Sequence, residues 1–288
     1  MVLSIPPRAF ALALLVRAPG LLAGTPGSRR PADRPPASAA RDTAFTREMV
    51  LARLEAVTPG TAADFTEQDL HGLDLGGVDF KQARLIRVDL RGTNLTGANL
   101  ARVDLFAADL TGAILERADL RGANLDLATL RAANLRQADL TGASLFSVIM
   151  ENADLREAVL EKARVLGYLK GARLAGARLA GANLGADPGN QSMGVMRTVF
   201  QTADLAGADF TGANLYKADF AFASLHGARL VDADLRNAEL VETDLRNADL
   251  TRARLAKADL NGADFRGAVG LDTVTDLGDT RNRDRAKF

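Results

Sequence analysis

The sequence predicts an all-β solenoid, in which very short strands alternate with corners and wind into a stack of coils. The first observation is an apolar residue at every fifth position, beginning at Phe65. That spacing matches neither the 3.6-residue period of a helix nor the two-residue period of a strand. The second observation is the polar pattern inside each unit. The third is that the 288 residues include no Trp and only 5% aromatics, so the core must be narrow and aliphatic.

The stretch RADLRGANL, residues 117–125, shows how five residues form a strand and a corner. Ala118 and Leu120 flank Asp119, which is the in–out–in alternation of a strand. The Arg-Gly pair that follows is two consecutive outward residues, so the chain turns before Ala123 points inward again. Corners that always turn the same way wind the chain into a coil. Stacked coils then pair their backbones at about 4.8 Å, as parallel strands do.

The repeat occupies most of the chain. It runs without a break over 65–165, resumes one residue early over 169–184, and runs again over 200–265, which gives 39 units. Repetition this regular outweighs any local propensity argument. The segment 185–199, GADPGNQSMGVMRTV, leaves the pattern and reads as an inserted loop.

The segments that precede the repeat have a different composition. Residues 1–42 are rich in Pro, Ala, Gly and Arg, which predicts a disordered tail, with a cleaved targeting segment as the alternative. Residues 43–60 contain TAFTREMVLARLEAV, which predicts a short amphipathic helix over the first coil, capped by Asp42 or Thr43 and ended by Pro-Gly. In the C-terminal cap and tail, 269–288, we expect Leu271, Val274 and Leu277 to cover the last coil.

The five-residue unit resembles the pentapeptide-repeat family over residues 61–268. The likeness rests on A(D/N)L units such as Ala98-Asn99-Leu100, Ala118-Asp119-Leu120 and Ala213-Asn214-Leu215. The resemblance implies a right-handed quadrilateral parallel β-helix with four units per coil, and therefore about ten coils. It divides the solenoid into a first part, 61–184, and a second part, 200–268.

The inventory of chemical groups is poor. The chain has no Cys, so thiolate chemistry is excluded, and no catalytic or nucleotide-binding motif is present. His71 and His226 each follow a repeat Leu, so we expect both to point to solvent. We also expect a smooth rod without a concave pocket. The sequence therefore predicts a non-enzymatic protein with no catalytic residue, no cofactor and no metal.

Net charge and hydropathy indicate what the protein binds and in which compartment it lies. The 36 basic and 36 acidic residues cancel, which argues against a general nucleic-acid binder. No apolar run reaches the roughly 20 residues that a membrane helix needs. We therefore expect a cytoplasmic protein with no direct nucleic-acid binding and no membrane span.

Residues 20 apart stack above one another in a four-sided coil, and several acidic residues align in this way. We expect three columns, which are Asp69, Asp89 and Asp109; Asp119 and Asp139; and Asp219, Glu239 and Asp259. The columns are either family background or an acidic surface that imitates DNA phosphates. The family resemblance implies the second option, because some members protect or inhibit DNA gyrase and topoisomerase IV.

Two further features are candidates for partner binding. The first is an outward apolar stack, which consists of Ile86, Phe106 and Phe146 with Leu127 and Ile149 beside it. It predicts either a partner or dimer surface or local repacking near Tyr168. The second is the inserted loop, with Asp187, Asn190, Met193 and Met196 as its candidate contacts; the alternative is a tolerated insertion.

The opening TREMVLARLEAV, followed closely by DLHGLDLGGVDF, resembles pentapeptide-repeat proteins associated with type VI secretion systems. The sequence therefore favours a protein–protein interaction scaffold or adaptor, with a bacterial secretion system as one setting. The alternative is a DNA-mimicking modulator of gyrase or topoisomerase IV, which would confer quinolone or toxin resistance. The expected partner is a secretion component, a type II topoisomerase or a second copy of the chain.

Overall fold

The computed structural model describes residues 45–58, 60–186 and 197–288. Within these ranges the chain winds in coils of 20 residues, and parallel backbone bridges join each coil to the next, from Asp64–Arg84 to Asp264–Lys287. The right-handed quadrilateral β-helix predicted from the sequence is confirmed. The predictions for residues 1–42 lie outside the described residues.

Each coil has four faces, which we label by the first central repeat residue on each. Face A begins at Phe65, face B at Leu70, face C at Leu75 and face D at Phe80. Every described apolar residue of the five-residue repeat is at most 1% exposed, and the small residue two places before it is usually a buried Ala. The core is therefore a narrow aliphatic column along the coil axis.

The corners are tight turns. At a typical one, the Ala123 N–H donates to the Leu120 carbonyl over 3.0 Å. The second of the two residues between them, Gly122, has a φ of +63°, a left-handed conformation that favours glycine. Where another residue stands at this place, as Lys217 does with a φ of +60°, it adopts the same strained conformation.

Hydrogen bonds between coils satisfy the strand residues in both directions. The Leu120 N–H donates to Asp139 in the next coil over 2.7 Å, and the Asp119 N–H donates to Ala98 in the previous coil over 2.9 Å. Because this pattern repeats on all four faces, backbone groups remain unpaired mainly at the two ends of the stack.

The one-residue slip in the repeat is accommodated between two longer strands. Strands β1 (Ser144–Ile149) and β2 (Arg164–Tyr168) pair in parallel, with a bulge between Phe146 and Val148. The shorter coil brings Gly167 against β1, where an added Cβ would lie 2.1 Å from the Val148 carbonyl oxygen. Only glycine fits this approach, so the slip depends on that residue.

Helix α1 (Arg47–Glu55) covers the first coil. Its N-cap is Thr46 rather than Asp42 or Thr43, because the Thr46 hydroxyl accepts from the Met49 N–H. Val50 and Leu54 are buried against the coil. No described helix is long and apolar enough to cross a membrane.

The arginines of α1 neutralise the open backbone edge of the first coil. Arg47 donates to the carbonyls of Asp74 and Gly76 over 2.6 and 3.1 Å, and Arg53 donates to the carbonyl of Asp64 over 3.1 Å. These oxygens face away from the second coil, so the guanidinium groups take the place of a preceding coil.

The other end is closed by three 3-10 turns, Leu271–Thr273, Leu277–Asp279 and Arg283–Arg285. Val274 is buried there, and Leu271 and Leu277 pack against the core, as expected. The Phe288 ring stacks on Phe265 with centroids 5.3 Å apart.

Candidate functional site

The apolar stack lies at the corner between faces A and B, which we call the AB corner. Ile86, Phe106 and Phe146 each follow a face-A core residue, and all three are half-buried. The stack is interrupted by Asp126, whose Oδ1 accepts from the Phe146 N–H over 2.8 Å. Leu127 also lies at this corner and is 42% exposed.

The apolar surface extends from the AB corner onto face B. Ile149 is half-buried on that face and pairs with Tyr168, which is 53% exposed and pairs in turn with Val199. The Phe146 ring at the corner lies under the Arg164 guanidinium, 4.8 Å from ring centroid to Cζ. In the sequence Tyr168 marks only the slip, whereas in the structure it adds the most exposed ring to this surface.

Both irregularities of the repeat occur at the AB corner. The bulge between β1 and β2 is at this corner. The insertion begins at the same corner, one coil after β2. Phe200 on face B follows Leu184 on face A by 16 positions, where the regular repeat would place it five positions later. The candidate loop residues Asp187, Asn190, Met193 and Met196 lie outside the described residues.

A buried ionic group anchors the end of the insertion. The Asp219 side chain is only 1% exposed, and Arg197 donates to it over 3.0 Å and to Glu239 over 2.6 Å. Gln201 donates to the same carboxylate over 2.8 Å. Because an unpaired buried charge is costly, this network holds the chain at the point where it re-enters the coil.

The acidic residues form two columns rather than three. Asp219, Glu239 and Asp259 continue the face-B column that begins with Asp69, because unbroken bridges run between them through Thr129, Ile149, Tyr168 and Val199. After the slip and the insertion, the residues Asp219, Glu239 and Asp259 lie again on face B. The 20-residue spacing alone does not predict this. Asp119 and Asp139 stack on face D, as expected.

Asp and Asn recur in these columns because they stabilise the corners. The Asp119 Oδ1 accepts the backbone N–H of Arg121 over 3.1 Å, and the same two-residue link recurs on all four faces. This is an Asx-turn, in which a short side chain satisfies a turn N–H. It gives the acidic columns a structural reason that is independent of any partner.

Arginines neutralise many of these carboxylates. Arg121 donates from Nε to Oδ1 of Asp119 over 2.8 Å and from a terminal nitrogen to Oδ2 over 2.5 Å. Hydrogen bonding from Arg266 lowers the pKa of the Asp264 carboxyl from 3.8 to about 2. Six pairs share this arrangement: Asp89–Arg91, Asp119–Arg121, Asp154–Arg156, Asp234–Arg236, Asp244–Arg246 and Asp264–Arg266.

The remaining side chains that could act in catalysis or bind a metal are exposed. His71 and His226 both face solvent, as expected. Among the described residues, Asp69, His71 and Asp89 bring one donor atom each within 4.8 Å of one another. The Arg91 guanidinium already contacts both oxygens of Asp89, so this group is an ion-paired cluster.

The expectation of a smooth rod is wrong, since the described surface carries shallow grooves. One, of about 600 Å³, lies along face D and includes Lys81, Arg102 and Arg121. Another, of about 570 Å³, lies at the AB corner of the second part of the solenoid. It is lined by Arg197, Lys217, Asn237, Glu239, Lys257 and Arg281. Corner side chains of unequal length leave gaps between coils, which the repeat pattern does not predict.

The coil of 20 residues built from five-residue units is matched by the family model for pentapeptide repeats. That model covers residues 61–97, 83–122, 123–161, 196–230 and 228–267. The chain belongs to the pentapeptide repeat family. No curated protein matches this pentapeptide repeat protein.

Several solved structures are similar to this pentapeptide repeat protein. HetL, involved in heterocyst differentiation regulation in the cyanobacterium Nostoc sp. strain PCC 7120, is 31% identical over 82% of this chain and 94% of HetL, with a TM-score of 0.43. Full-length QnrB1, a plasmid-mediated fluoroquinolone resistance protein, is 17% identical over 65% of this chain and 92% of its own, with a TM-score of 0.36. A pentapeptide repeat protein from the thylakoid lumen of Arabidopsis thaliana is 36% identical over 39% and 68%, with a TM-score of 0.23.

Proposed function

We propose that this pentapeptide repeat protein is a non-enzymatic scaffold that binds a protein partner through the AB corner. The observation that carries the proposal is the coincidence of three features at one corner of the coil. These are the apolar stack with Tyr168 beside it, the β1–β2 slip, and the insertion. The other three corners keep the regular repeat throughout the described residues.

The apolar surface at the AB corner and on the adjoining part of face B has the composition of a protein-binding surface. Leu127 and Tyr168 are 42% and 53% exposed, and Phe106 and Phe146 add half-buried rings. Exposed apolar residues that cluster are typical of partner surfaces, and aromatic residues are enriched at them. The link to bacterial secretion stays a proposal that rests on the likeness of residues 46–57 and 69–80.

A quantitative capture experiment tests the scaffold. Wild-type protein and the Ile86→Ser/Phe106→Ser/Phe146→Ser variant are used to capture partners from a lysate of the source cells. The matched control replaces apolar residues outside the AB corner, Ile114→Ser/Phe222→Ser/Val269→Ser, which are 40–63% exposed. We expect the stack variant to lose the captured protein and the control to retain it. Equal capture by all three would show that the stack is not the interface.

The alternative of a DNA-mimicking gyrase modulator draws on the acidic columns. Its support is weakened by the six Asp–Arg pairs, because a paired carboxylate presents little net negative charge to a partner. A supercoiling assay with DNA gyrase, with and without a quinolone, tests it. No effect at micromolar protein removes this alternative, whereas inhibition or protection would favour it over the scaffold.

A further inference from the structure

The groove at the AB corner of the second solenoid part is rich in positive charge. Four cations line it, from Arg197, Lys217, Lys257 and Arg281, against one lining carboxylate, Glu239. On the regular coils, six arginines instead lie on the aspartate two residues before them. In this groove, positively charged side chains are concentrated on a concave surface.

Two of these cations have no counter-ion among the residues that the structure describes. Among the described residues, neither the Lys217 nor the Lys257 ammonium has a carboxylate within ion-pair distance. Lys217 instead lies 5.3 Å from the centroid of the Tyr216 ring. Arg197 is committed to Asp219 and Glu239, so the two lysines carry the positive charge that is open to a ligand.

The backbone holds these side chains in a row along the coil axis. The Lys217 N–H and the Asn237 N–H each donate to the next coil, and Lys217, Asn237 and Lys257 share a left-handed φ of 58–60°. They occupy the same corner position in successive coils, so the lysines lie about 10 Å apart. The groove is lined from Arg197 to Arg281, and the backbone bridges from the adjacent Val199 to Arg281 cross four inter-coil steps, or about 19 Å.

We propose that this groove binds an extended acidic segment of a protein partner. About six residues of an extended chain span the groove at about 3.3 Å per residue. Acidic side chains would replace the missing counter-ions of the lysines, and Asn237 offers amide hydrogen bonds between them. The choice of a protein ligand rests on the proposed function, because the groove continues the same corner as the apolar stack.

A protein segment fits the groove better than a nucleic acid does. Nucleic-acid binding depends on neutralising many phosphates, which needs a basic surface longer than this groove. The groove is also flanked by the carboxylates of Asp219, Glu239 and Asp259, and the whole chain has no net charge. These carboxylates are paired with Arg197 or lie near Arg281, so a short acidic peptide that follows Lys217 and Lys257 meets negative charge that is already partly neutralised.

Fluorescence anisotropy with a fluorescein-labelled poly-glutamate decapeptide tests the proposal directly. The test variant is Lys217→Glu/Lys257→Glu. The matched control is Arg102→Glu/Lys162→Glu, which reverses two cations in the same left-handed corner position on the opposite side of face A. Circular dichroism melting of each variant verifies that the coil remains folded.

We expect wild type and control to bind the peptide with affinities within about twofold, and the test variant to bind about tenfold or more weakly. Binding should also weaken as salt rises from 50 to 200 mM. Equal weakening in both variants, or unchanged binding in the test variant, would overturn the proposal. Equally tight binding of labelled oligothymidylate would show a general polyanion site and would also overturn it.

The experiment is separable from the test of the scaffold. The variant of the apolar stack leaves the groove lysines in place, so it should bind the poly-glutamate peptide as wild type does. A stack variant that loses its partner but keeps the peptide would support both statements. Loss of peptide binding only in the lysine variant supports the groove whatever the capture experiment gives.

Discussion

Replacing Leu120 by Lys is the sharpest perturbation of the inward pattern. Leu120 is fully buried on face D, and Leu100 and Leu140 occupy the same place in the coils on either side. Its backbone N–H donates to Asp139 in the next coil, and its carbonyl accepts from Ala123 in the following turn. A lysine there has no counter-ion within the apolar core and cannot reach water without opening the coil.

The expected cost follows from two contributions. Loss of the buried leucine removes about 1.5–3 kcal/mol of burial free energy. Holding the lysine neutral at pH 7, below its ordinary pKa of about 10.4, costs about 4–5 kcal/mol more. The total is comparable to the whole stability of many domains, which is about 5–15 kcal/mol. Because each coil contacts only its neighbours, the damage should be local opening around residue 120.

Hydrogen exchange with mass spectrometry measures this opening. We expect Leu120→Lys to lose protection over residues 100–140 and to keep it over residues 225–265, with a lower thermal midpoint. The control is Ala101→Lys, which places the same charge on an outward residue of face D. If the melting curve and the exchange pattern of Leu120→Lys match those of wild type, the inward assignment is refuted.

Three further predictions concern stability. Gly167→Ala should lower the thermal midpoint, because the added Cβ would meet the Val148 carbonyl; an unchanged midpoint would contradict the close approach of β2 to β1. Arg197→Met should cost about 3–5 kcal/mol in urea unfolding because it leaves the buried Asp219 charge uncompensated; a cost below about 1 kcal/mol would show that the network is dispensable. Asp264→Asn should be less stable than wild type at pH 6, and this difference should close as the pH falls from about 5 to 2, since a depressed folded pKa stabilises only above it; a gap that persists at pH 2 would exclude the ion pair as its cause.

The fold was predictable because the five-residue repeat encodes burial directly. Leu120 and its equivalents all lie inside, and the Arg-Gly pair after Leu120 forms the corner, as the alternation predicts. The number of faces came from the family resemblance. With four faces per coil, residues 20 apart are neighbours in successive coils, and this spacing predicts most contacts between coils.

The surface was harder to predict, because its chemistry depends on side chains that meet only after folding. The Asp-Leu-Arg motif is visible in the sequence, as in Asp119-Leu120-Arg121. Its meaning appears only when the turn brings the guanidinium back onto the carboxylate. The aspartate columns, which the sequence alone predicts to be acidic, are therefore partly neutralised by arginine.

The sequence also does not predict which face each residue occupies after the slip and the insertion. A repeat lost by one residue and then interrupted does not show on which face it resumes. The structure returns Asp219 to the face of Asp69, and it places Lys217 and Lys257 in one row beside Arg197. The basic groove follows from that register, so spacing alone did not reveal it.

Site-specific photocrosslinking tests the central claim, that partners contact the AB corner, most directly. A photoreactive phenylalanine analogue is placed at Leu127 or Tyr216 on that corner, and at Ile114 or Phe222 elsewhere, and the protein is irradiated in the source cells. We predict a discrete crosslinked partner from Leu127 and Tyr216 and none from Ile114 and Phe222. Crosslinks confined to Ile114 or Phe222 would contradict the assignment of the AB corner as the binding surface.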